Sequence, residues 1–517
     1  MRPASLNAAQ RERDLAALRR DPDVDVVVIG GGITGVGVAL DAATRGLSVV
    51  CIERDDFASG TSRWSSKLIH GGLRYLRNGD LGVAWESARE RHILMKWTAP
   101  HLVMSMPYMI PLTPHVSVPY AMLSGSGIRF GDVLRAVSGS SHAMLPSPRR
   151  ISALEALRLY PALAGRGLRG AILFWDGQAV DDARIVIAAA RTAAAYEARL
   201  VQRCVAEHVD DGTVIARDVL SNDTVVLHAR CVINATGVWA HELAPDVHLR
   251  PSKGSHLVIR GAALGDPRTA MLVPVVGERA RWVGANPTPD GHVIVGVTDI
   301  PHEGSVEDVP AISRDERTYL LSLIEQVLEH PIAENDIIGS YAGYRPLLSS
   351  GDSETTADIS RKHAILRDPA RKMITVVGGK FTTYRKMAED AVDAAVQFAD
   401  LEAGKCVTER TALVGAGPAE EISLLQAPER LRRRFGREAE QVVRLAHGKK
   451  ELLTPLGPEP PVLPVEALWA VRHEGALQLD DILDRRLRLD LVPEERERLR
   501  STIESLVELP IREHVPA

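Results

Sequence analysis

The feature that most constrains this 517-residue chain is the stretch from residue 25 to residue 53. DVVVIG (25–30) is an apolar, β-rich run; glycines follow, and then ITGVGVALDAATR at helical spacing, with Gly46 as the stop. SVVCIE (48–53) is the next strand. Strand, helix and strand fit into these 29 residues, the size of one parallel crossover. The chain therefore opens as an α/β fold.

The turn inside this unit reads Gly30-x-Gly32-x-x-Gly35. Gly30 permits the tight turn, Gly32 lets the backbone approach a pyrophosphate, and Gly35 lets the helix pack on the strand. The helix N-terminus offers N–H groups and a positive dipole end to phosphates. Glu53 closes the second strand 21 residues beyond Gly32, where a carboxylate accepts hydrogen bonds from ribose hydroxyls. This is a dinucleotide site.

NAD and FAD share the fingerprint, and two features favour FAD. INATG and VVGGK lie about 200 and 350 residues beyond the first loop, so the sheet is assembled from remote pieces. The second strand also runs into RDDFASGTSRWSSKLIHGGLRYL, a polar segment without strand character that suits wrapping an isoalloxazine and its ribityl chain. A nicotinamide fold would continue with another helix–strand repeat.

Length predicts roughly three domain-sized units at ~150 residues each. Residues 1–24 read as an amphipathic leader helix, not a targeting signal, because Arg and Asp run throughout. An FAD-binding domain is expected over 25–397, assembled from about 25–100, 175–250 and 340–397. A substrate domain (about 101–174 and 251–339) interleaves with it; RWVGANP and HVIVGVTD there read as a second sheet. Residues 398–517 read as a helical domain divided by a Pro-rich connector at 455–464. The fold class is thus a Rossmann-like α/β domain with an interleaved α+β domain and a C-terminal helical domain.

The 62 basic and 67 acidic residues leave a net charge of -5, which argues against a nucleic-acid partner. Four scattered cysteines form no C-x-x-C pair and give no metal-ligand spacing, so no metal site is expected. Residues 97–128 carry no Asp, Glu, Lys or Arg, but five prolines there would break a membrane-spanning helix. The segment reads either as a surface resting on a membrane or as a buried lid.

With GGGITGVGVALDAATRGLSVVCIERDDFASGTS, SSKLIHGGLRYL and APHLV in order, the chain resembles the flavin-dependent glycerol-3-phosphate dehydrogenases. VDDARIV, INATGVWA, KGSHLVI, GVTD, YRPLL and GGKFTTYRKMAEDAVD continue the likeness, and EALWAVRHEGALQLDDILDRRLRL resembles that family's helical domain. Phe381, Val297 and Tyr344 depart from its usual motifs. The resemblance implies oxidation of sn-glycerol 3-phosphate to dihydroxyacetone phosphate, with hydride passing from C2 to FAD N5.

On the same resemblance, Arg74, Arg345 and Arg361 hold the phosphate, a task suited to the planar guanidinium fork. His256 is the expected base for the O2 proton; the alternative is that it only hydrogen-bonds the flavin or backbone. Tyr75 either donates to the substrate or is a core tyrosine. Lys380, at the mouth of the last helix, stabilises charge on reduced flavin or binds phosphate. FAD is expected among Gly30, Gly32, Thr34, Gly35, Glu53, Arg54, Thr61, Ser65, Ser66, Lys67, Leu68, His70, Gly237, Gly379, Phe381 and Thr382. Thr382 and Thr383 are alternatively helix caps.

A quinone acceptor and peripheral attachment to the cytoplasmic face of a membrane are implied by the resemblance alone, and self-association into a homo-oligomer stays open. Three rivals remain: an oxygen-using glycerol-3-phosphate oxidase, an amine oxidase of the same fold, and a non-catalytic flavin-binding protein.

Overall fold

The computed structural model describes residues 4–72, 80–114, 135–275, 281–348 and 362–509. Two sheets organise them. The first has eight strands, with a main path in the order His363–Asp368, Met373–Gly378, Thr224–Asn234, Asp23–Ile29, Val49–Ile52, Arg199–Val201. Its central pairings are parallel, and Val26 to Ile29 pair both with Cys231 to Asn234 and with Val49 to Ile52. A sheet buried on both faces needs continuous apolar runs, which VVVI and VVCI supply.

Three helices cover one face: Ile33–Thr44, Asp182–Ala195 and Tyr384–Ala399. The core they share is rich in alanine (Ala39, Ala43, Ala190, Ala194, Ala391, Ala395), small side chains that let backbones approach closely. The helix Ala8–Arg20 lies over the other face and buries Leu15 and Leu18 against Val27, Ile29 and Val50. Each such leucine contributes about 1.5–3 kcal/mol.

The second sheet has ten strands, in the order Ile300–Pro301, Ser252–Arg260, His292–Gly296, Trp282–Pro287, Ala270–Pro274, Val103–Pro111, Ala171–Ala179, Leu68–Ile69. Ile337–Arg345 pairs along Ser252–Arg260 and Arg149–Ile151 along Ala171–Ala179. Three of these strands fall in segments that the sequence reading gave to the FAD-binding domain: Leu68–Ile69, the end of Ala171–Ala179, and the end of Ile337–Arg345. Leu68–Ile69 also corrects the expectation that SSKLIHGG lacks strand character. The reason is physical: a two-residue edge strand carries no periodicity of its own and exists only because a partner strand supplies its hydrogen bonds.

The uncharged segment is resolved in the same way. Its described part contains Val103–Pro111, an inner strand paired to Ala171–Ala179 on one side and Ala270–Pro274 on the other. That part is sheet interior; 115–134 lies outside the described residues. No helix among the described residues is long and apolar enough to cross a membrane.

The C-terminal region is helical, with Pro464–His473 and Pro493–Leu506 in its core. It is tied to the first domain by buried ion pairs. Asp56 accepts from Arg485 Nε (2.6 Å) and from Arg486 Nη1 and Nη2 (2.7 and 2.9 Å). Burial alone would raise the Asp56 carboxyl, but Arg486 and Arg485 outweigh it and hold it at about 2.

Candidate active site

A cavity of about 1150 Å³ runs between the two sheets. At one end lie Gly30, Gly32, Thr34 and Glu53; at the other lie His256, Arg345 and Lys380.

The glycine loop leaves the first strand with Gly30 at φ +112°, in the region that favours glycine. A Cβ on Gly35 would sit 1.8 Å from the Gly30 carbonyl oxygen, so the helix can begin here only without a side chain. Gly32 differs. A Cβ there would meet only Ser62 Oγ, at 3.1 Å, so protein packing leaves space at Gly32 on the wall of the cavity. Gly32 is the N-cap of Ile33–Thr44 and makes no side-chain cap, so this helix start opens to the cavity. Ser62 Oγ takes the Ile33 N–H at 2.9 Å.

Glu53 is already oriented by backbone. Oε2 accepts from Gly31 N (2.6 Å) and Oε1 from Asp55 N (2.8 Å). Each oxygen keeps a second lone pair for a ribose hydroxyl. Burial raises the Glu53 carboxyl, and these two N–H groups oppose the shift. Beside it, the Arg54 guanidinium lies 4.4 Å from the Trp239 ring centroid, and both residues line the cavity.

At the other end the period-two pattern of a strand does the positioning. In SKGSH, residues 252, 254 and 256 face the site, while Lys253 and Ser255 face the helix Arg314–Ile324. Glu316 of that helix accepts from Lys253 Nζ at 2.8 Å and from Ser255 Oγ at 2.6 Å. The register sets Arg345 opposite Ser252 and Tyr341 opposite His256. Arg345 donates to Ser252 Oγ and to the Thr298 carbonyl, each at 3.2 Å, with Asp299 at 3.6 Å. A Cβ on Gly254 would meet Arg345 Nη2 at 2.5 Å, so this glycine makes room for the guanidinium.

His256 is 2% exposed. Its ring stacks on Tyr341 with centroids 4.5 Å apart and planes 15° apart. Nε2 lies 2.7 Å from Ser66 Oγ. Burial holds the imidazole well below the ordinary histidine value, and the Arg345 and Lys67 charges push the same way. This setting favours the neutral imidazole at pH 7.

Lys380 follows Gly378 and Gly379, both at positive φ; a Cβ on Gly379 would meet Met387 Sδ at 2.4 Å. This double turn carries the chain from the first sheet to the cavity wall, where the Lys380 ammonium hydrogen-bonds Ser87 Oγ. Thr383 is the N-cap residue of Tyr384–Ala399 but makes no side-chain cap; its hydroxyl donates to the Lys380 carbonyl at 3.3 Å.

Of the residues singled out from sequence, Gly30, Gly32, Thr34, Glu53, Arg54, Thr61, Ser65, Ser66, Leu68, His70, Gly237, His256, Arg345, Gly379, Lys380 and Phe381 line this one cavity. Gly35, Lys67 and Thr382 do not. Gly35 is used in packing, Thr382 is buried, and the Lys67 ammonium binds Asp182 at 2.8 Å. Arg74, Tyr75 and Arg361 lie outside the described residues. Sequence reasoning gave no role to Asp299, although its GVTD motif stood out, nor to Tyr341, which no local pattern marks. Among the described residues no group of His, Cys, Asp and Glu could hold a metal ion.

Comparison with known proteins agrees with this architecture. A family profile described as "FAD dependent oxidoreductase" matches residues 25–379, and one described as "C-terminal domain of alpha-glycerophosphate oxidase" matches residues 406–509. Glycerol-3-phosphate dehydrogenase 1 of Mycobacterium bovis is 46% identical over 503 residues, covering 96% of this chain and 97% of that protein. The mitochondrial glycerol-3-phosphate dehydrogenase of Mus musculus is 35% identical, covering 94% of this chain and 70% of that protein. The crystal structure of the glycerol-3-phosphate dehydrogenase from Bacillus halodurans complexed with FAD superimposes with a TM-score of 0.72 at 25% identity, covering 97% and 95% of the two chains. Glycine loop, two-sheet cavity and C-terminal helical region together place the chain in the glycerol-3-phosphate dehydrogenase family of FAD-dependent oxidoreductases.

Proposed function

We propose that this protein oxidises sn-glycerol 3-phosphate at C2 to dihydroxyacetone phosphate, using FAD. The observation that carries the reading is the continuity of one cavity from the glycine loop to His256, Arg345 and Lys380. The residues present suit FAD: room at Gly32 for a close-lying pyrophosphate, a helix start open to the cavity, and an oriented Glu53 carboxylate. When bound, FAD supplies the two-electron acceptor for a hydride from C2.

The protein supplies binding and proton handling. Arg345, fixed by Ser252 and Thr298, binds the phosphate with Arg74 and Arg361, and Tyr75 donates to the substrate. Lys380, held by Ser87, adds positive charge where negative charge develops. His256, kept neutral by burial, accepts the O2 proton. Electrons then pass to a quinone, with the protein in the cytoplasm and resting on the inner face of a membrane. The alternative acceptor is oxygen, and the C-terminal match to an oxidase domain is the observation that favours it.

Anaerobic mixing with sn-glycerol 3-phosphate tests the reading. Rapid bleaching of the flavin band is expected, and glycerol should act far more slowly. No bleaching, or equal bleaching by both, would refute it. Readmitting either a quinone or oxygen then identifies the acceptor by which restores the band faster.

A further inference from the structure

His256 has an unusual setting for a base. Nε2 is hydrogen-bonded to Ser66 Oγ at 2.7 Å, while Nδ1 is buried with no hydrogen-bond partner among the described residues. Tyr341 covers one ring face, and the Cδ2 edge lies so close to Gly296 that a Cβ there would fall 2.2 Å away. Both residues line the cavity, but Ser66 is only half-buried where His256 is buried. Its hydroxyl touches the imidazole, and the residue itself stands on the cavity wall.

The segment around Ser66 is clamped on both sides. Ser65 donates to Asp182 Oδ2 through its backbone N (3.0 Å) and its Oγ (2.7 Å), and Lys67 Nζ reaches Asp182 Oδ1 at 2.8 Å. Tyr341 donates its hydroxyl to the Ser65 carbonyl at 2.9 Å. Arg488, from the C-terminal region, donates to Asp182 Oδ1 at 3.1 Å. Lys67 has φ +58°, a conformation that an L residue keeps only when its surroundings enforce it. The clamp thus fixes one short turn, and that turn delivers a hydroxyl to Nε2.

We propose that Ser66 is a catalytic proton relay between the substrate and His256. The inference rests on the glycerol 3-phosphate reading and deepens it. The O2–H bond breaks as that proton bonds to Ser66 Oγ, and the proton previously on Oγ bonds to His256 Nε2. The C2–H electron pair leaves as hydride to the flavin, and the C2=O bond forms. The substrate loses one hydride and one proton; FAD, when bound, would supply the hydride acceptor, and His256 ends as the cation. Asp182 and Arg488 are positioning residues for this relay.

The test uses purified holoenzyme of the unaltered protein, Ser66→Ala, Ser66→Thr, His256→Ala and the Ser66→Ala/His256→Ala double variant, with flavin content measured by absorbance. Ser66→Ala is expected to keep its flavin and its apparent substrate constant. Anaerobic flavin reduction should slow by about 10²-fold, the lower end of what a positioned proton-transfer group contributes. Ser66→Thr should recover part of the rate. The double variant should be no slower than His256→Ala alone, because the two residues act as one unit. A second readout needs no turnover: in ¹⁵N-histidine-labelled holoenzyme, Ser66→Ala should shift the His256 Nε2 resonance. Full-rate reduction by Ser66→Ala, or a slowing that multiplies with that of His256→Ala, overturns the relay. Loss of rate only in proportion to lost flavin makes Ser66 a cofactor contact and also overturns it. If sn-glycerol 3-phosphate fails to bleach the unaltered holoenzyme, the substrate reading falls and this use of the relay with it. That result is distinct from a relay failure, in which the unaltered protein bleaches and Ser66→Ala does so equally fast.

Discussion

At the glycine-loop end of the cavity, the contacts come from backbone and from one carboxylate within a short run of sequence; at the His256 end, they come from side chains drawn from four separate segments. Gly30, Gly32, Gly35 and Glu53 belong to one strand–helix–strand unit, in which the Gly31 N–H orients the Glu53 carboxylate. His256, Arg345, Lys380 and Ser66 meet only because one strand pairs with another, a glycine pair turns the chain, and a clamped loop folds over. The first arrangement has no room for a side chain at Gly30 or Gly35 but leaves space at Gly32. The second, on the function proposed above, works through charge and proton state.

The largest expected effects are at the glycine end, and they distinguish packing from binding. Gly35→Ala drives a Cβ into backbone at 1.8 Å, so soluble folded protein should be lost. At Gly32 an added Cβ meets only Ser62 Oγ, at 3.1 Å, so Gly32→Val should fold with unchanged circular dichroism yet purify without yellow absorbance. A fully flavinated Gly32→Val protein would contradict the assignment of this loop to the pyrophosphate.

Next comes His256→Ala, which should slow anaerobic flavin reduction by ~10²–10⁴-fold with little change in substrate binding. Its pH profile sharpens the point. Burial lowers His256 in the native protein, so the acid limb of the unaltered enzyme should lie well below pH ~6.5. Unfolding returns the imidazole to about 6.5, so native stability should fall as pH drops from there toward the depressed native value. The variant should lack both the limb and this increment of acid sensitivity.

Arg345→Ala should raise the apparent substrate constant about 10- to 150-fold, the worth of a charge-assisted bidentate contact of ~1.5–3 kcal/mol. Arg345→Lys should recover only part of it. Gly254→Ala, which pushes on the flexible end of the same guanidinium, should give a smaller rise. If glycerol is affected as much as glycerol 3-phosphate, Arg345 does not read the phosphate.

Glu53→Ala is expected to be mildest: flavin affinity measured by equilibrium dialysis should weaken by about tenfold, because water replaces part of a hydroxyl-to-carboxylate pair. The Gly31 and Asp55 N–H groups lose their acceptor at the same time, so a small fall in thermal stability should accompany it.

The sequence by itself determined the α/β opening, the dinucleotide loop, the terminal acid and the helical C-terminal region. Each is written in neighbouring residues: apolar runs of strand length, helical spacing, and glycines at fixed offsets. The resemblance carried by SSKLIHGG, KGSH and GGKFTTYR marked the residues of the far end, but not how they meet. Only the tertiary structure decided that Arg345 stands opposite Ser252, that Tyr341 stacks on His256, and that Lys67 turns its charge to Asp182 instead of the cavity. It also decided that the uncharged strand Val103–Pro111 is sheet interior. The physical reason is common to all four. Register across strands and the choice of ion-pair partner depend on residues from tens to more than a hundred positions apart, and no local spacing records which of many arginines or carboxylates a side chain will meet.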